Sequence, residues 1–107
     1  MLSCFDLAEG VDLDSFRPGY AAFVEEMKDA GLTVSTGPIG RRQRDTPMDT
    51  DDERDHEYFV VMTFRDRAQV DAAYAHIERH VAPGDAEHRG VMAMVRNPVF
   101  ICWQDTE

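Results

Sequence analysis

Lysine is almost missing from this chain. Lys28 is the only one, and the other ten basic residues are arginines. Acidic residues outnumber basic ones 21 to 11, for a formal net charge of −10. A surface of that sign repels phosphate backbones and anionic lipid, so nucleic acid and membrane are not expected partners. Long hydrophobic runs are absent too, and none approaches the length of a membrane span. Met1-Leu2-Ser3-Cys4-Phe5-Asp6 meets an acid at once, without the basic-then-apolar order of a signal peptide. The expectation is a soluble cytoplasmic protein, bacterial in style. Cysteine is scarce, with Cys4 and Cys102 alone. Both sit in apolar runs expected to be strands, so buried free thiols are the natural reading. Several chemical signatures are also lacking. There is no phosphate loop, no dinucleotide fingerprint, no serine nucleophile elbow, no HExxH and no EF-hand spacing in the acidic Asp45–Asp55 stretch.

What is present centres on Tyr58–Phe64. Aromatic and β-branched residues without Gly or Pro predict a strand there. Tyr58, Val60, Met62 and Phe64 share one face, and Phe59, Val61 and Thr63 share the other. Both faces are largely apolar, so this strand is expected at the centre of a sheet covered on both sides.

The remaining chain supplies neighbours in order. At 107 residues it is expected to form one domain, residues 1–107. Leu2–Leu7 predicts a first strand. Phe16, Tyr20, Phe23, Val24 and Met27 form a helical stripe ended by Gly31. The helix starts at either Ser15 or Asp12, and in the second case Pro18 should kink it. Leu32–Gly40 is a second extended segment, bent at Gly37-Pro38 as suits an edge. Asp45–Asp55 is expected to be an exposed, mobile loop. Asp66 caps a second helix, with Gln69 at capping-box spacing. Val70, Ala73, Tyr74, Ile77 and Val81 form its expected buried stripe. Residues 85–95 read as a short helix, or in part as an extra strand. Asn97-Pro98 signals a turn, and Val99–Trp103 the last strand.

This order is β-α-β-β-α-β, which right-handed crossovers turn into a ferredoxin-like, four-stranded antiparallel sheet of α+β class. Both helices then cover one face. The other is left apolar, and a second copy of the chain is its expected cover.

The pattern resembles the dimeric α+β barrel superfamily, in which two ferredoxin-like subunits pack sheet against sheet. Two stretches carry the resemblance: Glu57–Phe64 followed by an acid-capped helix, and His88-Arg89 leading to Asn97-Pro98-Val99-Phe100. It implies a homodimer formed through the open sheet face, in a bacterial branch. That superfamily includes cofactor-free monooxygenases, haem enzymes, lactone isomerases and polyketide cyclases. In the cyclases of plants a Tyr and a His from the second-helix region face a pocket between helices and sheet. Tyr74, His76 and His80 fall there, and are the candidate catalytic residues. A strand-three histidine of that branch falls near Tyr58, with His56 two residues earlier.

Two functional expectations follow. The first is a homodimer binding a small apolar or aromatic molecule in a helix–sheet pocket, with His56, Tyr58 and Trp103 as ligand contacts. The second is a cofactor-free enzyme in which Tyr74 and a histidine share a proton. No cofactor and no metal is expected. His76 and His80 stand one helical turn apart, as two metal ligands can, but at the solvent border of the helix they read as ordinary surface histidines. Arg41, Arg42 and Arg44 have the chemistry to clamp an anion, but answering the acidic loop that follows them is the preferred reading.

Overall fold

The computed structural model describes residues 1–106, and the chain is α+β. Five strands and three helices follow in the order β1 (Leu2–Leu7), α1 (Leu13–Asp29), β2 (Ser35–Thr36), β3 (Gly40–Arg41), β4 (Tyr58–Thr63), α2 (Arg67–Glu78), α3 (Asp85–Met94) and β5 (Val95–Ile101). The sheet is open and antiparallel, in the order β2-β4-β1-β5, and β3 also pairs with β4. Tyr58–Thr63 is therefore central, as its two apolar faces predict. The second extended segment is two short strands rather than one. Both lie on β4, separated by Gly37-Pro38, where proline cannot donate to a ladder. That break is why the sheet counts five strands and not the expected four.

Register fixes what each face carries. Phe5 lies opposite Tyr58, and Ser3 opposite Val60. These point toward the helices. There Phe5, Phe16, Tyr20, Phe23, Val24, Met27, Tyr58, Val60, Met62, Ala73 and Val91 form one core. Its centre is a run of rings: Phe16 sits 5.1 Å from Phe5 and 5.8 Å from Tyr20, and Phe5 is 5.8 Å from Tyr58. Burying each such ring contributes about 1.5–3 kcal/mol. The molecule measures 41 × 41 × 19 Å across its Cα atoms, a thickness that fits one sheet and one helical layer.

Helix α1 begins at Asp12, whose side chain accepts from Ser15 N–H at 2.8 Å. The helix runs through Pro18. Its end is the expected glycine cap: Gly31 has φ 73°, and Leu32 N–H reaches Met27 O at 2.8 Å. Helix α2 is capped by Asp66, which accepts from Gln69 N–H at 2.8 Å. Backbone hydrogen bonds to these two caps hold both carboxyls below the usual range.

Three expectations need correction and one open choice is decided. Tyr74 is not on a buried stripe; it is 67% exposed. Helix α2 buries Gln69 and Ala73 instead. The Gln69 amide donates to Gly31 O at 3.0 Å and accepts from Arg65 N–H at 2.6 Å. That polar anchor turns the helix so that position 74 faces outward. Second, of the two readings of residues 85–95 the helix is the one that forms, over Asp85–Met94, and no strand forms at Val91–Met94. Third, Asn97-Pro98 is not a turn before the last strand but a bulge within it. The pairing shifts between Cys4 opposite Val99 and Asp6 opposite Arg96, and Asn97 takes φ 57°. Fourth, Cys102 is exposed because strand pairing stops at Ile101, while Cys4 is buried; both thiols are free.

Candidate functional site

Tyr74, His76 and His80 do not form a cluster. Helix α2 ends at Glu78, and His80 has left it with φ 55°. The helical spacing that would set His76 and His80 on one face does not extend that far. His76 Nε2–H donates to Pro83 O at 2.7 Å. His80 Nδ1 lies 3.3 Å from an Asp85 oxygen, and Asp85 also pairs with Arg89 at 3.0 Å. Among the described residues no three metal-ligating side chains converge. His88, half-buried against the Phe23 ring at 5.3 Å, has its imidazole lowered by burial, with Asp85 pulling the other way.

His56, Tyr58 and Trp103 do not line a common pocket among the described residues. Tyr58 is part of the core, and its hydroxyl accepts from Arg41 at 3.1 Å. Trp103 lies past the end of β5 and is 57% exposed. His56 is buried, just before β4. Its Nε2–H donates to Asn97 O at 2.6 Å and so pins the β5 bulge. The opposite nitrogen, Nδ1, is buried without a hydrogen-bond partner.

The face turned away from the helices carries Leu2, Cys4, Asp6, Glu57, Phe59, Val61, Arg96, Val99 and Ile101, which are cross-strand neighbours or alternate with the core residues. It divides into three zones. At one end Val61, Val99 and Ile101 are 40%, 37% and 38% exposed. In the middle Cys4 is 1% exposed although no helix covers it. The charged groups acting on its thiol are Arg54, Asp51 and Arg42, all in or beside the acidic loop, and burial pushes the thiol up. Phe59 shares an open depression with Met48, Asp49, Thr50, Asp51 and Arg54. The acidic loop is thus folded over the middle of the sheet and does not run free.

Arg42 is what holds that loop. Its guanidinium grips Asp49 through two hydrogen bonds of 2.8 Å, reaches Asp51 O at 2.6 Å and also donates to Arg54 O. Only 9% of its side chain is exposed, and 20% of that of Asp49. The hydrogen bonds from Arg42 hold the Asp49 carboxyl below its usual range. Arg44 pairs with Asp55 at 3.1 Å. For Arg42 and Arg44 the expected role of answering the acidic loop holds. Arg41 turns instead to Glu57, at 3.6 Å, and to Tyr58.

The third zone is charged. Where β1, β3, β4 and β5 meet, an open cleft of about 460 Å³ is lined by Arg41, Arg42, Arg44 and Arg96 with Asp6, Asp45, Asp55 and Glu57. The sequence shows the first three arginines as a run but gives no sign that Arg96 joins them. That follows only from the bulge and from the pairing of β5 with β1.

No family model and no curated protein matches this chain.

Proposed function

We propose that this chain works as a homodimer built sheet against sheet on a ferredoxin-like plan, a dimeric α+β barrel that binds a small apolar or aromatic molecule. The supporting observation is the uncovered apolar end of the sheet. Val61, Val99 and Ile101 stand on one face, and each is more than a third exposed. Val61 and Ile101 flank Leu2 from the two strands beside it. Val99 lies two residues before Ile101 on the same face, so they form a patch and not scattered surface carbons. Two copies carrying −10 each repel, so contact favours a zone without charge, as this one is. The loop roof narrows the interface to the β1-β4-β5 end beyond Cys4. For the ligand class, the exposed Trp103 offers an aromatic contact. Tyr74, His76 and His80 lend no support to an acid–base reading, since the tyrosine is turned outward and each histidine is tied elsewhere.

Sedimentation velocity at micromolar concentration tests the assembly. The expected result is a dimer that Ile101→Asp converts to a monomer with unchanged circular dichroism. A wild-type monomer overturns the reading. Emission of Trp103, the sole tryptophan, on titration with 1-naphthol tests the ligand class. Saturable quenching is expected, and a strictly linear response counts against it.

A further inference from the structure

We infer that the arginine-lined cleft at the charged end of the sheet binds a small zwitterion, a molecule bearing one carboxylate and one ammonium group. Charge balance is the first argument. The chain carries −10, yet the cleft is lined by four arginines and four carboxylates. The excess negative charge lies elsewhere, so this is where a carboxylate meets least repulsion.

Arg96 is the second argument. Nine of the eleven basic residues have a carboxylate within 4 Å. Among the described residues Arg79 and Arg96 do not, and Arg96 lines the cleft. Its cross-strand neighbour Asp6 is engaged elsewhere. One Asp6 oxygen accepts from Glu57 N–H at 2.9 Å, and the other from the Asn97 amide at 3.5 Å. Arg96 therefore offers an unpaired planar fork, suited to a carboxylate.

The floor around it is held in place. His56 pins Asn97, next to Arg96, through the 2.6 Å bond to the bulge carbonyl. The same histidine's carbonyl accepts from Arg44 at 3.3 Å. Thus one buried residue ties both sides of the cleft. The resident ion pairs at its rim are easily displaced. Asp55, the partner of Arg44, has a side chain 99% exposed, and the Arg41–Glu57 pair is long at 3.6 Å with both side chains more than half exposed. Exposed pairs of this kind are worth little, so a ligand carboxylate can replace them. A simple anion would meet the repulsion of Asp6, Asp45, Asp55 and Glu57. An ammonium group on the ligand turns that repulsion into attraction to the same carboxylates.

The test is an amide chemical-shift titration of the whole chain with L-alanine, propionate, propylamine and inorganic phosphate, repeated on Arg96→Gln. Arg96 is exposed, so the variant is expected to keep the wild-type spectrum elsewhere. L-alanine should give saturable shifts around Arg41–Asp45, Asp55–Glu57 and Arg96. Propionate, propylamine and phosphate should each bind the wild type at least about tenfold more weakly, as should L-alanine to the variant, the loss expected for one charge-assisted contact. Absence of saturable shifts overturns the proposal, as does propionate or phosphate binding as tightly as L-alanine. The comparison of the four probes on the wild type stands whether or not the variant folds. The result is independent of dimerisation, which uses the opposite, uncharged end of the face.

Discussion

The two faces of the sheet are closed by different physics. On the helix side, rings do the work: Phe5, Phe16, Tyr20 and Tyr58 pack ring against ring. On the other side one arginine draws a loop of acids over Cys4 and Phe59 and leaves the ends of the face uncovered. The first closure is non-directional and tolerates salt and acid. The second depends on charge and geometry at a single side chain. A chain this short cannot supply apolar cover twice, and its roof of ion pairs covers only the middle.

This contrast can be broken from either side. The largest effect is expected on the helix side. Phe16 is 1% exposed, and Phe16→Ala should cost about 3–5 kcal/mol in chemical denaturation. Next comes the roof. Arg42→Ala removes several charge-assisted hydrogen bonds and should lower the denaturation midpoint, by less than Phe16→Ala does. It should also make Cys4 reactive toward a thiol reagent in a Cys102→Ser background. A Cys4 that stays protected would mean that the loop is held by something other than Arg42.

Acid should separate the two closures. Hydrogen bonds from Arg42 depress the Asp49 carboxyl in the folded state. A group shifted down in this way stabilises the fold above its unfolded value of 3.8, and that stability is lost as pH falls through the lower, folded value. Cys4 labelling, taken relative to a free thiol at the same pH, should therefore rise below about pH 4 before the aromatic near-ultraviolet signal falls. Asp49→Asn should remove that pH dependence. The smallest effect belongs to the uncovered end, where Val61→Thr should change monomer stability by no more than about 0.5 kcal/mol.

The central strand, the apolar stripe of α1, the Asp66 cap and the Gly37-Pro38 break were legible because each rests on local chemistry: side-chain period, capping residues and proline's missing donor. Misplaced features depend on partners far away in sequence. Tyr74 follows the apolar period, but Gln69 is drawn inward by Gly31 from 38 residues away. The Asn97-Pro98 signal is a real irregularity, yet only pairing with β1 makes it a bulge and not a turn. For the candidate site, Arg41, Arg42 and Arg44 were visible as a cluster with acids to answer. Arg96 was not, since it arrives from another strand. The one-turn spacing of His76 and His80 rested on a helix continuing to residue 80, two residues beyond its actual end.

The place of β1 has a consequence for how the sheet is assembled. Residues 2–7 form an inner strand flanked by β4 and β5, so the first strand made pairs with the last. Each of its two ladders closes a loop of more than fifty residues, an entropic cost met before any pairing energy returns. Until β5 arrives, Leu2–Leu7 keeps one side of its backbone unpaired. Helix α1, with its glycine-capped end and its adjacent apolar stripe, can form early; the sheet beneath it must wait. The expected order is therefore helix first and sheet last, with the N-terminal strand as the piece that waits longest for its second partner.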